Sequence, residues 1–356
     1  MSFLKRVHSG KSRAGSKLAR SVSIKIIGAM LLFSLFFVGT ALAFAGNFTF
    51  VLKWGTQGTG SGQLDHPYDV VVDSGGTIYV ADTYNHRIQK FASDGVFLGG
   101  WGTYGTGKGQ FNYSMGVAVD GEDNIYVADA CNSRVQKFTN TGTFLGAWGS
   151  SGTGNGQLLY PYDIAVDGSG NVYVADAGNH RVQKFTNTGD FITKWGSYGS
   201  GDGQFKYPHG IAIDDAGDVY VADYYNHRVQ KFTSDGAYLT QWGSYGTGDG
   251  QLNTPKGVAV DSAGNVYVAD YHNNRIQKFT NTGTFIGTWG TKGEDNGQFS
   301  TPKGVAVDNS GNIYIADTGN SRVQKFRVEQ TSYGFATNSA AIIITIALAA
   351  VIRKKR

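Results

Sequence analysis

Short runs of alternating branched and small apolar residues, each closed by a polar turn, recur along the chain from Phe48 to Glu329. Around Pro255, the run Gly257–Asp261 places Val258 and Val260 on one face and Gly257 and Ala259 on the other. A Ser-Ala-Gly-Asn turn follows, then Val266–Asp270, a polar turn, Arg275–Thr280, an Asn-Thr-Gly turn and Phe285–Trp289. Short apolar runs punctuated by Gly, Asn and Asp predict four antiparallel strands in a meander. Small side chains on one face and branched ones on the other suit a sheet pressed between two neighbours. The glycine of each DxxGN turn is expected at positive φ, a folding role.

The unit is 47 residues long and occurs six times without a gap. Trp54, Trp101, Trp148, Trp195, Trp242 and Trp289 are the only tryptophans, one per copy, and VADxxNxRxQKF recurs at the same interval. A period in this range, filled with strands, predicts an all-β fold: a six-bladed β-propeller of four-stranded antiparallel blades. The last copy stops after its third strand, Ser321–Glu329, whereas an unpaired FTFVLKW (Phe48–Trp54) precedes the first and matches the fourth strand of later copies. That N-terminal strand is expected to complete the last blade and cover its edge.

The pattern PxGVAVDxxGNVYVADxxNxRVQKF resembles the NHL repeat, with Asn85–Arg87, Asn179–Arg181 and Asn226–Arg228 reading Asn-His-Arg. The resemblance implies a six-bladed propeller. In function it spans protein- and RNA-binding platforms, sensor ectodomains and a few lyases with metal-binding histidines at their centre, so it selects no single activity.

The propeller, 48–329, lies between two apolar segments. Residues 1–25 carry seven basic side chains and no acidic one, a cytoplasmic leader, and Ile26–Ala45 is uncharged over 20 residues. That is long enough to cross a bilayer, and its Ala43-Phe44-Ala45 end fits a signal-peptidase site, so 26–45 is a signal peptide or a transmembrane anchor. After a linker at 330–339, an apolar transmembrane or sorting segment at 340–352 precedes a basic cytoplasmic tail at 353–356. The order of short motif, apolar segment and basic tail resembles the sorting signals of archaeal surface proteins, although Tyr333-Gly334-Phe335 departs from the usual triplet. Basic ends belong inside, which places the propeller on the extracellular face of the cell membrane. Eleven of 31 basic residues lie in those flanks, leaving 20 against 27 acidic ones, a balance of −7. Such a domain is a poor phosphate binder, so no nucleic-acid partner is expected. The single Cys131 forms no internal disulfide. Asn47 and Asn112 head possible glycosylation sequons.

Six copies provide an internal control: what every copy keeps serves the blade, and function should break the symmetry. The Asp-Asn-Arg set (Asp223, Asn226, Arg228 in one copy) is therefore structural, with Arg spaced to pair with the carboxylate. His86, His180 and His227 share a slot with Ser133, Asn274 and Ser321, which asks for a hydrogen bond and not a metal ligand. His66 and His209 are too few for a catalytic zinc site, which draws three protein ligands, and no cofactor is expected.

Symmetry breaks around the proline opening each first strand. The preceding slot reads His66, Tyr113, Tyr160, Tyr207, Thr254, Thr301, and the following slot Tyr68, Met115, Tyr162, His209, Lys256, Lys303. First strands line the central channel, so these side chains should ring its mouth, joined by Tyr84, Tyr224, Tyr225 and Tyr271 from the second-to-third strand turns. Tyrosine offers a large contact area with a polar tip and little entropy to lose. The expectation is a non-catalytic, membrane-anchored binding module for a protein, peptide or glycan at the cell envelope. An extracytoplasmic metal-dependent lyase or hydrolase, and a structural envelope component, are the alternatives.

Overall fold

The structure, a computed structural model, describes residues 48–328. Six four-stranded antiparallel sheets stand around a central channel. Blade 1 comprises Pro67–Val72, Ile78–Asp82, Arg87–Phe91 and Phe97–Trp101, from the axis outward. Blades 2 to 5 repeat it, opening at Ser114, Pro161, Pro208 and Pro255. In blade 5 the first strand starts at Pro255, two residues before the valine run, and the third ends at Phe279. Blade 6 is built from both ends of the ring. Phe48–Trp54 lies antiparallel to Arg322–Val328, with Phe48 opposite Val328 and Trp54 opposite Val323. The expected closure by the N-terminal strand is therefore present.

No single core fills the ring; apolar clusters lie between successive blades. Between blades 6 and 1, Val70, Ile78, Val80 and Phe91 meet Ala306, Tyr314, Ala316 and Val323. The second strands, such as Ile78–Asp82, are buried at every residue, because both of their faces are covered by other blades. Each carries a tyrosine whose buried hydroxyl donates to the first aspartate of the DxxGN turn, as Tyr126 does to Asp120 at 2.9 Å. The turn glycine takes positive φ, as at Gly264 (79°), and where blade 2 reads GEDN, Asp123 adopts the same conformation at 60°.

The repeated Asp-Asn-Arg set clamps the loops between blades. In blade 3 the fully buried Asp176 accepts from Arg181 Nε at 2.7 Å, Asn179 Nδ2 at 2.9 Å, Gln183 Nε2 at 3.0 Å and the Leu159 backbone N–H at 2.7 Å. Arg181 donates onward to the carbonyls of Thr153, Gly154 and Gln157. The Gly-rich loop is thus held by side chains of the blade that follows it, and a buried guanidinium finds an acceptor on every side. All six copies contain the Arg–Asp pair, at 2.6–2.8 Å.

The expected segments at 1–25, 26–45, 330–339, 340–352 and 353–356, and the Asn47 sequon, lie outside the described residues. Among the described residues no helix is long and apolar enough to cross a membrane. Asn112 is half-buried, its backbone N–H bonded to Asp129.

Candidate functional site

The residue before the proline slot sits in left-handed conformation in all six copies: His66 (φ 50°), Tyr113 (60°), Tyr160 (49°), Tyr207 (57°), Thr254 (54°) and Thr301 (50°). This is rare for non-glycine residues and most so for the branched threonines. A side chain from the preceding blade's turn holds the strained backbone at four of them. His86, His180 and His227 accept through Nδ1 from the N–H groups of Tyr113, Tyr207 and Thr254 at 3.1, 3.2 and 3.0 Å, and Asn274 Oδ1 accepts from Thr301 at 2.9 Å. These histidines occupy the hydrogen-bonding slot that Asn274 also serves.

The residues after the proline slot converge on the axis. The Tyr68 hydroxyl lies 2.7 Å from His209 Nδ1, although the two are 141 positions apart. His209 is packed between Tyr162 and Tyr224, with ring centroids 4.4 and 4.3 Å away. Lys256 Nζ stands over three tyrosine rings, Tyr68 at 5.2 Å, Tyr224 at 5.0 Å and Tyr271 at 4.5 Å, and Lys303 Nζ lies over Tyr68 at 4.7 Å. Two ammonium groups are thereby brought to one phenol ring. Among the described residues neither forms an ion pair or a hydrogen bond; both rest on ring faces alone.

Burial, with the neighbouring Lys303 charge, lowers the Lys256 ammonium to about 7, and burial lowers Lys303 to about 8. Burial and the two lysines hold His209 well below its ordinary value, so its imidazole is neutral. Burial holds the Tyr68 hydroxyl well above its ordinary value, so it remains a phenol. The three ring faces around Lys256 oppose its deprotonation, each by about 0.5–2 kcal/mol. A buried cation without an ion-pair partner is nonetheless an unsatisfied state.

One step further along the first strands the slot reads Asp69, Gly116, Asp163, Gly210, Gly257, Gly304. The strands crowd so closely here that a Cβ on Gly210 would lie 2.2 Å from the Lys256 carbonyl oxygen, and one on Gly257 2.2 Å from that of Lys303. Only blades 1 and 3 carry side chains at this level, and their carboxyl groups hydrogen-bond to each other. Asp69 accepts from the Val117 N–H at 3.0 Å and Asp163 from that of Ile211 at 2.9 Å. Burial raises both carboxyls, and the Asp69 charge raises Asp163 further while the hydrogen bond between them lowers Asp69, so the pair retains a proton. Beyond it runs a channel of about 200 Å³ lined by valines, alanines and isoleucines of all six first strands. Asp69 and Asp163 lie one slot beyond the residues expected at the channel mouth. The signal was available, because two aspartates among four glycines break the sixfold symmetry.

Outside the plug is a cup of about 370 Å³ lined by Tyr68, Thr83, Tyr84, Tyr113, Met115, Cys131, Tyr160, Tyr162, His209, Lys256 and Lys303. Of the sixteen side chains expected around the mouth, thirteen are tyrosine, histidine or lysine, and eight of those thirteen line it. Tyr224 and Tyr271 stand behind, supporting His209 and Lys256. His66 bonds to Asp65 and stacks behind Tyr84, while Tyr207 and Tyr225 pair with each other. Tyr84, Tyr160, Tyr207 and Tyr225 are exposed, whereas Tyr68, His209 and Lys256 are buried. Crossing of chains from opposite blades covers them, which the order of residues along one strand does not reveal. Among the described residues no group of three or more His, Cys, Asp or Glu is placed to hold a metal ion.

The fold has many solved counterparts. A virginiamycin B lyase from Staphylococcus aureus is 14% identical, with a TM-score of 0.56 over 79% of this chain and 99% of that one. A gluconolactonase from Xanthomonas campestris is 15% identical, with a TM-score of 0.57 over 75% of this chain and 87% of that one. A protein of unknown function from Bacteroides thetaiotaomicron is 17% identical, with a TM-score of 0.62 over 80% and 76%. At such identities the likeness shows the propeller fold alone. No curated protein matches the chain in sequence. The NHL repeat model matches residues 64–91, 111–138, 158–185, 205–232, 252–279 and 299–326, once in each 47-residue period. The chain is thus a propeller of six NHL repeats.

Proposed function

We propose that this chain is a non-catalytic binding module whose cup takes up an acidic group of a protein, peptide or glycan partner. The observation that carries this reading is the pair of ammonium groups, Lys256 and Lys303, on one tyrosine ring with no ion-pair partner among the described residues. An arriving carboxylate supplies the missing countercharge in a low-dielectric site, where the interaction is far stronger than in water. The walls of tyrosine add contact area around it.

Binding an anion raises both lysine pKa values, so complex formation takes up protons. Affinity for acetate should be greatest below about 7 and fall as pH rises through about 7 to 8, where the free protein's lysines lose their charge. The fall should be roughly tenfold per pH unit for each proton taken up. Titration of acetate by NMR over this range checks it, and an affinity that does not vary with pH would remove the lysines from the site.

The basic flanks and the acidic balance of the propeller support a place on the outer side of the cell membrane. Protease added to intact cells should then digest the propeller. Protection until the cells are permeabilised would place it inside.

A further inference from the structure

We infer that the acidic group is borne by a sugar, and that the cup is a subsite for a terminal uronic acid of a glycan; this rests on the binding reading above. Three observations point to it. The cup is closed toward the channel. Its floor is the plug of Tyr68, His209 and Lys256, and the void between that plug and the channel is about 10 Å³, no larger than one water. It therefore admits the end of a molecule and not a chain threaded through the ring. Its volume of about 370 Å³ lies near the lower end of small-molecule pockets, roughly 300–1,000 Å³.

The wall is the second observation. Tyr84, Tyr113, Tyr160 and Tyr162 line the cup with aromatic rings, and their hydroxyls have no protein partner among the described residues. A pyranose offers the complementary pair, an apolar C–H face and an edge of hydroxyl groups. An extended peptide is usually held by backbone groups along a strand edge or a groove, whereas the lining here is dominated by tyrosine rings and the two lysines.

The third is the graded placement of the lysines. Lys256 is caged by three rings, whereas Lys303 touches one and is only half-buried. Lys303 is thus the first cation a carboxylate meets, with Lys256 behind it as a second charge. A neutral hexose would stack on the same tyrosines and leave both ammonium groups unpaired.

The test is calorimetric or NMR titration of the purified full chain with D-glucuronate, D-glucose, acetate and the tripeptide Gly-Gly-Glu. Glucuronate should bind more tightly than acetate and glucose should not bind. Tyr84→Ala and Tyr160→Ala, both at exposed positions, should weaken glucuronate about three- to tenfold and acetate by a smaller factor. Lys303→Met should abolish binding of both anions, with tryptophan fluorescence confirming the fold. If glucuronate binds no better than acetate, if the tyrosine variants do not affect it, or if the tripeptide binds more tightly, the sugar assignment is overturned and the anion-binding reading stands. If no anion binds at all, both are overturned.

Discussion

Removal of Phe48–Trp54 is expected to unfold the ring. These seven residues are the outer strand of blade 6 and join its two ends. Phe48 stacks on Trp289 with centroids 3.6 Å apart, Phe50 meets Phe326 edge-on at 6.0 Å, and Trp54 packs against both Phe91 and Tyr314. The strand thus closes blade 6 while touching blades 1 and 5. Its loss removes those contacts and opens the backbone edge of Arg322–Val328. The cost should exceed about 5 kcal/mol, comparable with the whole stability of many domains. Thermal unfolding followed by circular dichroism should lose its cooperative transition, or sedimentation should show dimers pairing through the bare edge. Lys53→Glu, at an exposed position on the same strand, should change stability by less than about 0.5 kcal/mol. A truncated chain melting like the intact one would refute the closure.

The second large effect is expected at the buried aspartates. Asp176→Ala leaves Arg181, itself 6% exposed, without its carboxylate, and strands the donors of Asn179, Gln183 and Leu159. Breaking one side of a buried ion pair costs about 3–5 kcal/mol. The six copies provide a graded series. The Arg181 and Arg322 side chains are each 7% exposed, whereas Arg87 keeps 20% and can recover water when its partner is lost. Asp82→Ala should therefore cost less than Asp176→Ala or Asp317→Ala in denaturant melts. Equal losses at all three would mean that exposure of the arginine is not what sets the cost.

The architecture was legible because each cue was local and repeated six times. Alternation gave the strands, the 47-residue period gave the ring, and the orphan strand at Phe48 gave the closure. The site was legible only in outline. The slots around Pro67 named most of the side chains that line the cup, because they are where the copies differ. Burial was not legible. Tyrosine, histidine and lysine at a loop end read as exposed, and only the meeting of blade 1 with blades 4, 5 and 6 covers Tyr68, His209 and Lys256. Asp69 and Asp163 escaped notice because each sits inside a run that reads as ordinary strand. Their pairing across the axis depends on the glycines that occupy the other four blades.

Lysines kept unpaired in a buried position should cost stability in the free protein, as expected where a site trades stability for function. The penalty is full below about 7 and is relieved as pH rises from about 7 toward the ordinary lysine value of 10.5. Lys256→Met keeps the aromatic packing and removes the charge. The most direct measurement is thermal unfolding of wild type and Lys256→Met at pH 6, with and without acetate. The account predicts that without acetate the variant is the more stable by about 1–3 kcal/mol. It also predicts that acetate stabilises the wild type and has much less effect on the variant. A variant less stable than wild type, with an undiminished response to acetate, would contradict it.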